Sequence, residues 1–179
     1  WSDFEELTKV RIGDLACGTG TLLIAASHAL SDNVINSLSA QGEEVDETTL
    51  KNLHQTLIEN IIHGYDVIPS AVHLTASSLG LMAPEIAFRK MQLYCLPLGK
   101  EKRGSYFLGS IEYAQSESIS TQLDFLGEPD TGGAAEAVTG YGGAASTAPL
   151  PRLSLSVMNP PFVRSVGGNL LFGSLPAHR

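Results

Sequence analysis

Two short runs and one acid carry residue types that could do chemistry together. Asn159-Pro160-Pro161-Phe162 is the sharpest. Two prolines fix two φ angles, and Asn159, standing before Pro160, is pushed to an extended backbone. A stiff turn of this kind aims a side-chain amide and a main-chain carbonyl at fixed points. That geometry suits methylation of an exocyclic amine, whose lone pair is delocalised into its ring. The Asn159 side-chain oxygen and the Pro160 carbonyl would accept the two amine hydrogens and draw the nitrogen towards a tetrahedral shape. Phe162 would stack on the flat ring. Positioning and well-placed acceptors would supply the catalysis, with no strong base and no metal. The plain alternative is a structural Pro-Pro turn beside a buried Phe.

The second run is Asp14-Leu15-Ala16-Cys17-Gly18-Thr19-Gly20. A glycine turn between a strand and a helix exposes bare backbone, and the helix N-terminus adds unpaired N–H groups. Gly18 and Gly20 would supply the turn; an ordinary tight turn is the alternative. A dinucleotide fold would want a third glycine three residues on and an acid about 20 residues further. Leu23 stands at the first place, and the acid, Asp66, lies 46 residues beyond Gly20. A ligand such as S-adenosylmethionine fits better. Its ribose wants a carboxylate after a second strand, and Asp14 would suit its positive charge. Otherwise Asp14 and Asp66 are solvated strand ends.

These groups need elements to hold them. Val10–Leu15 reads as a strand, 16–20 as the turn and Thr21–Leu30 as a helix, with Ser31–Ala40 as a second short helix. Asp46 is set to cap a helix in which Leu50, Leu53, Leu57 and Ile61 recur. Ile61–Asp66 reads as a strand, and Pro69 opens a helix carrying Ala71, Val72, Leu74, Ala76, Leu79 and Leu81. Met91–Leu96 and Leu153–Met158 complete four strands. The alternation predicts an α/β fold, a mostly parallel sheet covered by helices. Residues 127–151, rich in Gly, Ala, Thr and Pro, form a long surface linker inside the one domain, 1–179.

Composition limits the choices. The 179 residues are 43% apolar and 17% charged, enough for one core and too apolar for a disordered chain. No run approaches a membrane span. Two cysteines make no disulfide scaffold and no zinc motif, which points to a reducing, cytoplasmic setting; Cys95 reads as a small buried apolar residue. The net charge of −8 argues against grip on nucleic acid through overall basicity. The charge is uneven, however. Residues 1–60 hold ten acids and three bases, 109–150 hold six acids and no Lys or Arg, and 151–179 hold no acid and three arginines. Arg152 and Arg164 flank the Asn-Pro-Pro-Phe turn and could meet phosphates, or are simply solvated. The chain has no initiator Met or signal peptide and ends without a capping element, so it reads as a fragment of a longer protein.

In this order the motifs resemble those of N6-adenine DNA methyltransferases, particularly the modification subunits of type I restriction systems and their large single-chain relatives. Asp14-Leu15-Ala16-Cys17-Gly18-Thr19-Gly20-Thr21 is similar to the cofactor motif. Gly64-Tyr65-Asp66-Val67-Ile68-Pro69-Ser70-Ala71-Val72 is similar to the second motif, in which the acid binds the cofactor ribose, and Asn159-Pro160-Pro161-Phe162 to the catalytic motif. The best counterpart of the third motif is Leu108-Gly109-Ser110-Ile111, with Ser110 where the family has an acid. The resemblance implies an incomplete Rossmann-like methyltransferase fold with later strands missing. It implies S-adenosyl-L-methionine as cofactor, held by Asp14, Ala16, Cys17, Gly18, Thr19, Gly20, Thr21, Asp66, Val67, Ser110, Ile111 and Asn159. It also implies DNA with a flipped-out adenine as partner, and a specificity subunit or fused recognition domain. Two other readings stay open: a methyltransferase for RNA adenine or a protein glutamine amide, and a cofactor-binding module without turnover.

Overall fold

The computed structural model describes residues 4–96, 98–100, 106–108 and 151–159. Its centre is a sheet of four parallel strands: β1 (Ile12–Asp14), β2 (Ile62–Asp66), β3 (Gln92–Cys95) and β6 (Leu155–Ser156). Two further strands, β4 (Leu98–Lys100) and β5 (Tyr106–Leu108), form a separate antiparallel pair. The helices are a single turn, α1 (Phe4–Leu7), then α2 (Thr21–Ala40), α3 (Glu47–Thr56) and α4 (Pro69–Gly80). The fold is α/β.

Local chemistry explains the boundaries. In α3 the Asp46 side chain accepts the Thr49 N–H at 2.7 Å, the N-cap its sequence anticipates. The helical spacing expected to run on to Ile61 does so through one π turn, Leu57–Ile61, which leads straight into β2. Pro69 stands in the first turn of α4, where its missing N–H costs nothing. The two helices expected over Thr21–Leu30 and Ser31–Ala40 are one continuous α2, because no Gly or Pro interrupts positions 21–40. It stops at Gly42: the Gly42 N–H donates to Ser39 O, and the Glu43 N–H reaches back to Leu38 O at 3.0 Å.

The core lies between the sheet and its helices. Leu23, Leu30 and Val34 of α2 and Val72, Ala76 and Leu79 of α4 pack with Ile12, Ile62 and Leu93 of the strands. Every residue of β1 and β2 is buried, as expected of inner parallel strands covered by helices. Strand β6 is shorter than the expected Leu153–Met158, and both its residues are exposed.

The strand order is β3-β2-β1-β6. The chain builds outward from β1 through β2 to β3, then returns to the opposite side of β1 for β6. The order therefore reverses between β1 and β6. In open α/β sheets, ligands bind at the carboxyl ends of the strands beside such a reversal. The turn 16–20 leaves β1 at that edge, and Asn159 follows β6 at the same edge. The glycine turn and Asn159 thus lie at the same edge of neighbouring strands, although 138 residues of chain lie between Gly20 and Asn159.

Candidate functional site

Strand β1 delivers Asp14 to the carboxyl edge, and β2 delivers Asp66 beside it. Neither is a solvated strand end: Asp14 is 2% exposed and Asp66 is 8% exposed. Asp14 Oδ1 accepts the Ala16 N–H at 2.9 Å, which starts the turn. Burial raises the Asp14 carboxyl above the ordinary carboxylate range; the Ala16 bond opposes this, and the neighbouring charge of Asp66 adds to it.

Asp66 is more occupied than its expected role suggests. One carboxylate oxygen accepts the Gly18 N–H at 2.9 Å, and the other accepts the Ile68 N–H at 2.9 Å. The acid therefore ties the glycine turn to its own strand end while each oxygen keeps a lone pair for another donor. The backbone adds a second tie, from the Cys17 N–H to Tyr65 O at 2.9 Å.

Within the turn, Gly18 has φ 53° and Gly20 has φ 80°. Both conformations are left-handed, and glycine adopts them without the Cβ penalty. Gly20 has a further reason to be glycine: a Cβ there would lie 2.9 Å from Thr75 Cγ2 and 3.3 Å from Thr75 Cα. Gly20 also occupies the N-cap of α2 and makes no side-chain cap, so the positive end of the helix faces the turn uncovered by a side chain. Thr21 is the first helical residue, and its hydroxyl lies 2.9 Å from that of Thr19. Both are exposed, and Ala16 is half-buried.

Cys17 is no nucleophile. Burial, reinforced by Asp66 and Asp14, pushes its thiol up to about 12, so it stays protonated; the hydroxyl of Thr75 opposes the shift. Cys95 is only half-buried rather than buried, and burial beside Asp66 moves its thiol up to about 11. Val67 is half-buried against Tyr65, Tyr94 and Leu96 on one face of the sheet. Tyr65 and Tyr94 stack there with ring centroids 5.2 Å apart.

The structure therefore brings together Asp14, Ala16, Cys17, Gly18, Thr19, Gly20, Thr21, Asp66 and Val67. It puts Asn159, exposed, three residues beyond the end of the adjacent strand β6. Pro160, Pro161, Phe162, Ser110, Ile111, Arg164 and the linker 127–151 lie outside the described residues; Arg152 is exposed. Sequence reasoning missed one group: Thr75 on α4, fully buried, whose hydroxyl donates to Gly18 O at 2.9 Å. A polar residue in the apolar stripe Val72, Thr75, Ala76, Leu79 is the signal that marks it.

Chemically the arrangement suits one ligand class. Two carboxylates beside a glycine turn repel a pyrophosphate and attract a cation. Hydroxyl donors on the ligand would find the spare lone pairs of Asp66. Among the described residues, no three His, Cys, Asp or Glu side chains group to hold a metal ion, and no helix is long and apolar enough to cross a membrane. In comparisons with known proteins, no family model matches the chain and no curated protein matches it.

Proposed function

We propose that the chain is the cofactor-binding and catalytic part of an S-adenosylmethionine-dependent methyltransferase, and that it methylates the N6 amine of adenine in DNA. On this reading the α/β fold is Rossmann-like and incomplete. The observation that carries the reading is the strand order. It sets the glycine turn after β1, the Asp66 end of β2 and the carboxyl end of β6, three residues before Asn159, at one sheet edge.

The turn fits the methyl donor. Gly18 and Gly20 give the turn its left-handed backbone and let it pack closely against Thr75, Asp14 lies buried beside Asp66, and Asp66 offers acceptors for ribose hydroxyls. When bound, the donor supplies an electrophilic methyl group on a sulfonium. The chain's residues do the rest. Asp66 and the turn, with Thr19, Thr21 and Val67 around them, hold the donor in register with β6. The Asn159 amide oxygen and the Pro160 carbonyl accept the two hydrogens of the target amine, which keeps its lone pair free to attack. As the N–CH3 bond formed, the C–S bond of the sulfonium would break and the thioether S-adenosylhomocysteine would leave; both acceptors would bind the developing positive charge more tightly, which lowers the barrier, and the nitrogen would then give up one proton to solvent. Phe162 stacks on the base. An adenine inside a duplex cannot reach Asn159, so the base is flipped out. The protein that reads the DNA sequence is a specificity subunit or a recognition domain on the same chain, and the setting is the cytoplasm of a cell with restriction or a related defence.

The test is transfer of labelled methyl from S-adenosylmethionine to adenine-containing duplex DNA, with RNA and a glutamine peptide as parallel acceptors. The expected result is label in DNA as N6-methyladenine, lost in Asn159→Ala. Label in RNA or peptide alone overturns the choice of substrate, and full transfer by Asn159→Ala overturns the catalytic role of the amide.

A further inference from the structure

Gly18 is held from both sides. Its N–H belongs to the Cys17–Gly18 peptide plane and is fixed by the Asp66 carboxylate at 2.9 Å. Its C=O belongs to the Gly18–Thr19 plane and is fixed by the Thr75 hydroxyl at 2.9 Å. One plane sets φ at Gly18 and the other sets ψ, so two side chains from two elements lock both soft dihedrals of a residue that has unusual freedom. The Thr75 hydroxyl has a single hydrogen, and the Gly18 carbonyl is a better acceptor than Cys17 Sγ, which lies 3.5 Å away.

This lock has a direction. In a trans peptide the C=O and N–H point opposite ways. With Gly18 O turned inward to buried Thr75, the Thr19 N–H turns outward, on the exposed side of the turn where Thr19 itself lies. Resting on the methyl-donor reading above, we infer that Thr75 is a positioning residue that turns the Gly18–Thr19 peptide so that the Thr19 N–H donates to the bound donor molecule. Thr75 never touches the ligand. Its hydroxyl acts through the backbone, and its methyl group walls off the space beside Gly20.

The two halves of the side chain separate in experiment. Thr75→Val keeps the shape and removes the hydroxyl. Thr75→Ser keeps the hydroxyl and removes the methyl group. Binding of S-adenosylmethionine to the full 179-residue chain is measured by titration calorimetry, beside the thermal unfolding midpoint. Thr75→Val is expected to weaken binding about tenfold or more, because the released peptide no longer presents its donor. Thr75→Ser is expected to bind within about twofold of the parent while unfolding at a lower temperature, because it leaves a small void. Affinity thus follows the hydroxyl and not the stability ranking. Unchanged binding in Thr75→Val, or a loss in both variants in proportion to their stability, overturns the inference.

Amide hydrogen exchange without ligand separates failure of the inference from failure of the methyl-donor reading. Exchange at the Gly18 amide should accelerate about tenfold in Thr75→Val and not in Thr75→Ser, with the Val34 amide in the core unmoved in both. If the parent chain binds no S-adenosylmethionine, the methyl-donor reading falls, and this exchange pattern alone supports the positioning of the turn. Exchange at Gly18 unaffected by Thr75→Val overturns the positioning itself.

Discussion

Gly20→Ala tests how tightly the turn is packed against α4. Three described glycines have positive φ: Gly18 at 53°, Gly42 at 77° and Gly20 at 80°. An alanine in the left-handed region costs about 1 kcal/mol at any of the three. Their surroundings differ. A Cβ at Gly42 would meet nothing within 4 Å, and one at Gly18 would approach only Ala16 O, at 4.0 Å. A Cβ at Gly20 would meet Thr75 Cγ2 at 2.9 Å, Oγ1 at 3.2 Å and Cα at 3.3 Å. The first two atoms could rotate away only by breaking the bond from Thr75 to Gly18. The third is backbone in the middle of a helix and cannot yield without moving α4. Overpacking of this kind adds about 1–3 kcal/mol. The expected losses are therefore about 1 kcal/mol for Gly18→Ala and Gly42→Ala, and about 2–4 kcal/mol for Gly20→Ala. Urea unfolding followed by circular dichroism measures all three. In a double-mutant cycle, Gly20→Ala and Thr75→Ala should couple favourably by about 1 kcal/mol or more, since the second change removes two of the three clashing atoms. If Gly20→Ala costs no more than Gly42→Ala, the close contact between turn and helix is wrong, and the reasoning about Thr75 loses its base.

Two further outcomes concern titration. Burial depresses His63 to about 4, so below pH 6.5 the unfolded chain takes up a proton that the folded chain refuses. Stability should then fall by about 3 kcal/mol between pH 6.5 and 4 relative to His63→Phe, measured as the difference of their unfolding free energies across that range. Asp14 runs the other way. Its raised carboxyl favours the fold fully below the ordinary carboxylate range, and that advantage is lost as pH rises through the folded value. Asp14→Asn keeps an oxygen for the Ala16 N–H and ends the repulsion with Asp66, so its unfolding midpoint should rise at neutral pH even as it weakens binding of a cationic ligand.

Much of the frame was legible because local signals and burial agreed. Asp46 followed by helical spacing, Pro69 at a helix start and the glycines after β1 each encode their element within a few residues. The buried strands β1 and β2 were legible because each is a short segment led by Ile and ending in an acid, set directly before a turn and a helix. The antiparallel pair of β4 and β5 was not legible. Leu98-Gly99-Lys100 and Tyr106-Phe107-Leu108 are three-residue strands, too short to show a period of two. Ser31, Asp32 and Asn33, at the break expected inside α2, are polar residues that favour caps in isolation. In place, Ser31 is buried, and Asp32 and Asn33 face solvent on an unbroken helix. At the candidate site the sequence identified the acids but not their first task. Nothing near Asp66 in the chain foretells its bond to Gly18, 48 residues away, or the bond from Thr75 to the same residue. Both arise from long-range packing of α4 and β2 against the turn.

On the proposed function, this turn binds S-adenosylmethionine. The most direct measurement is an isotope-labelled amide spectrum of the chain titrated with S-adenosylhomocysteine, the unreactive product of methyl transfer. Saturable shifts should concentrate at Gly18, Thr19, Gly20, Thr21, Asp66 and Val67, with Val34 and Leu53 of the core unmoved. A spectrum that does not change at millimolar ligand, or shifts that gather elsewhere and leave the turn untouched, would contradict the account.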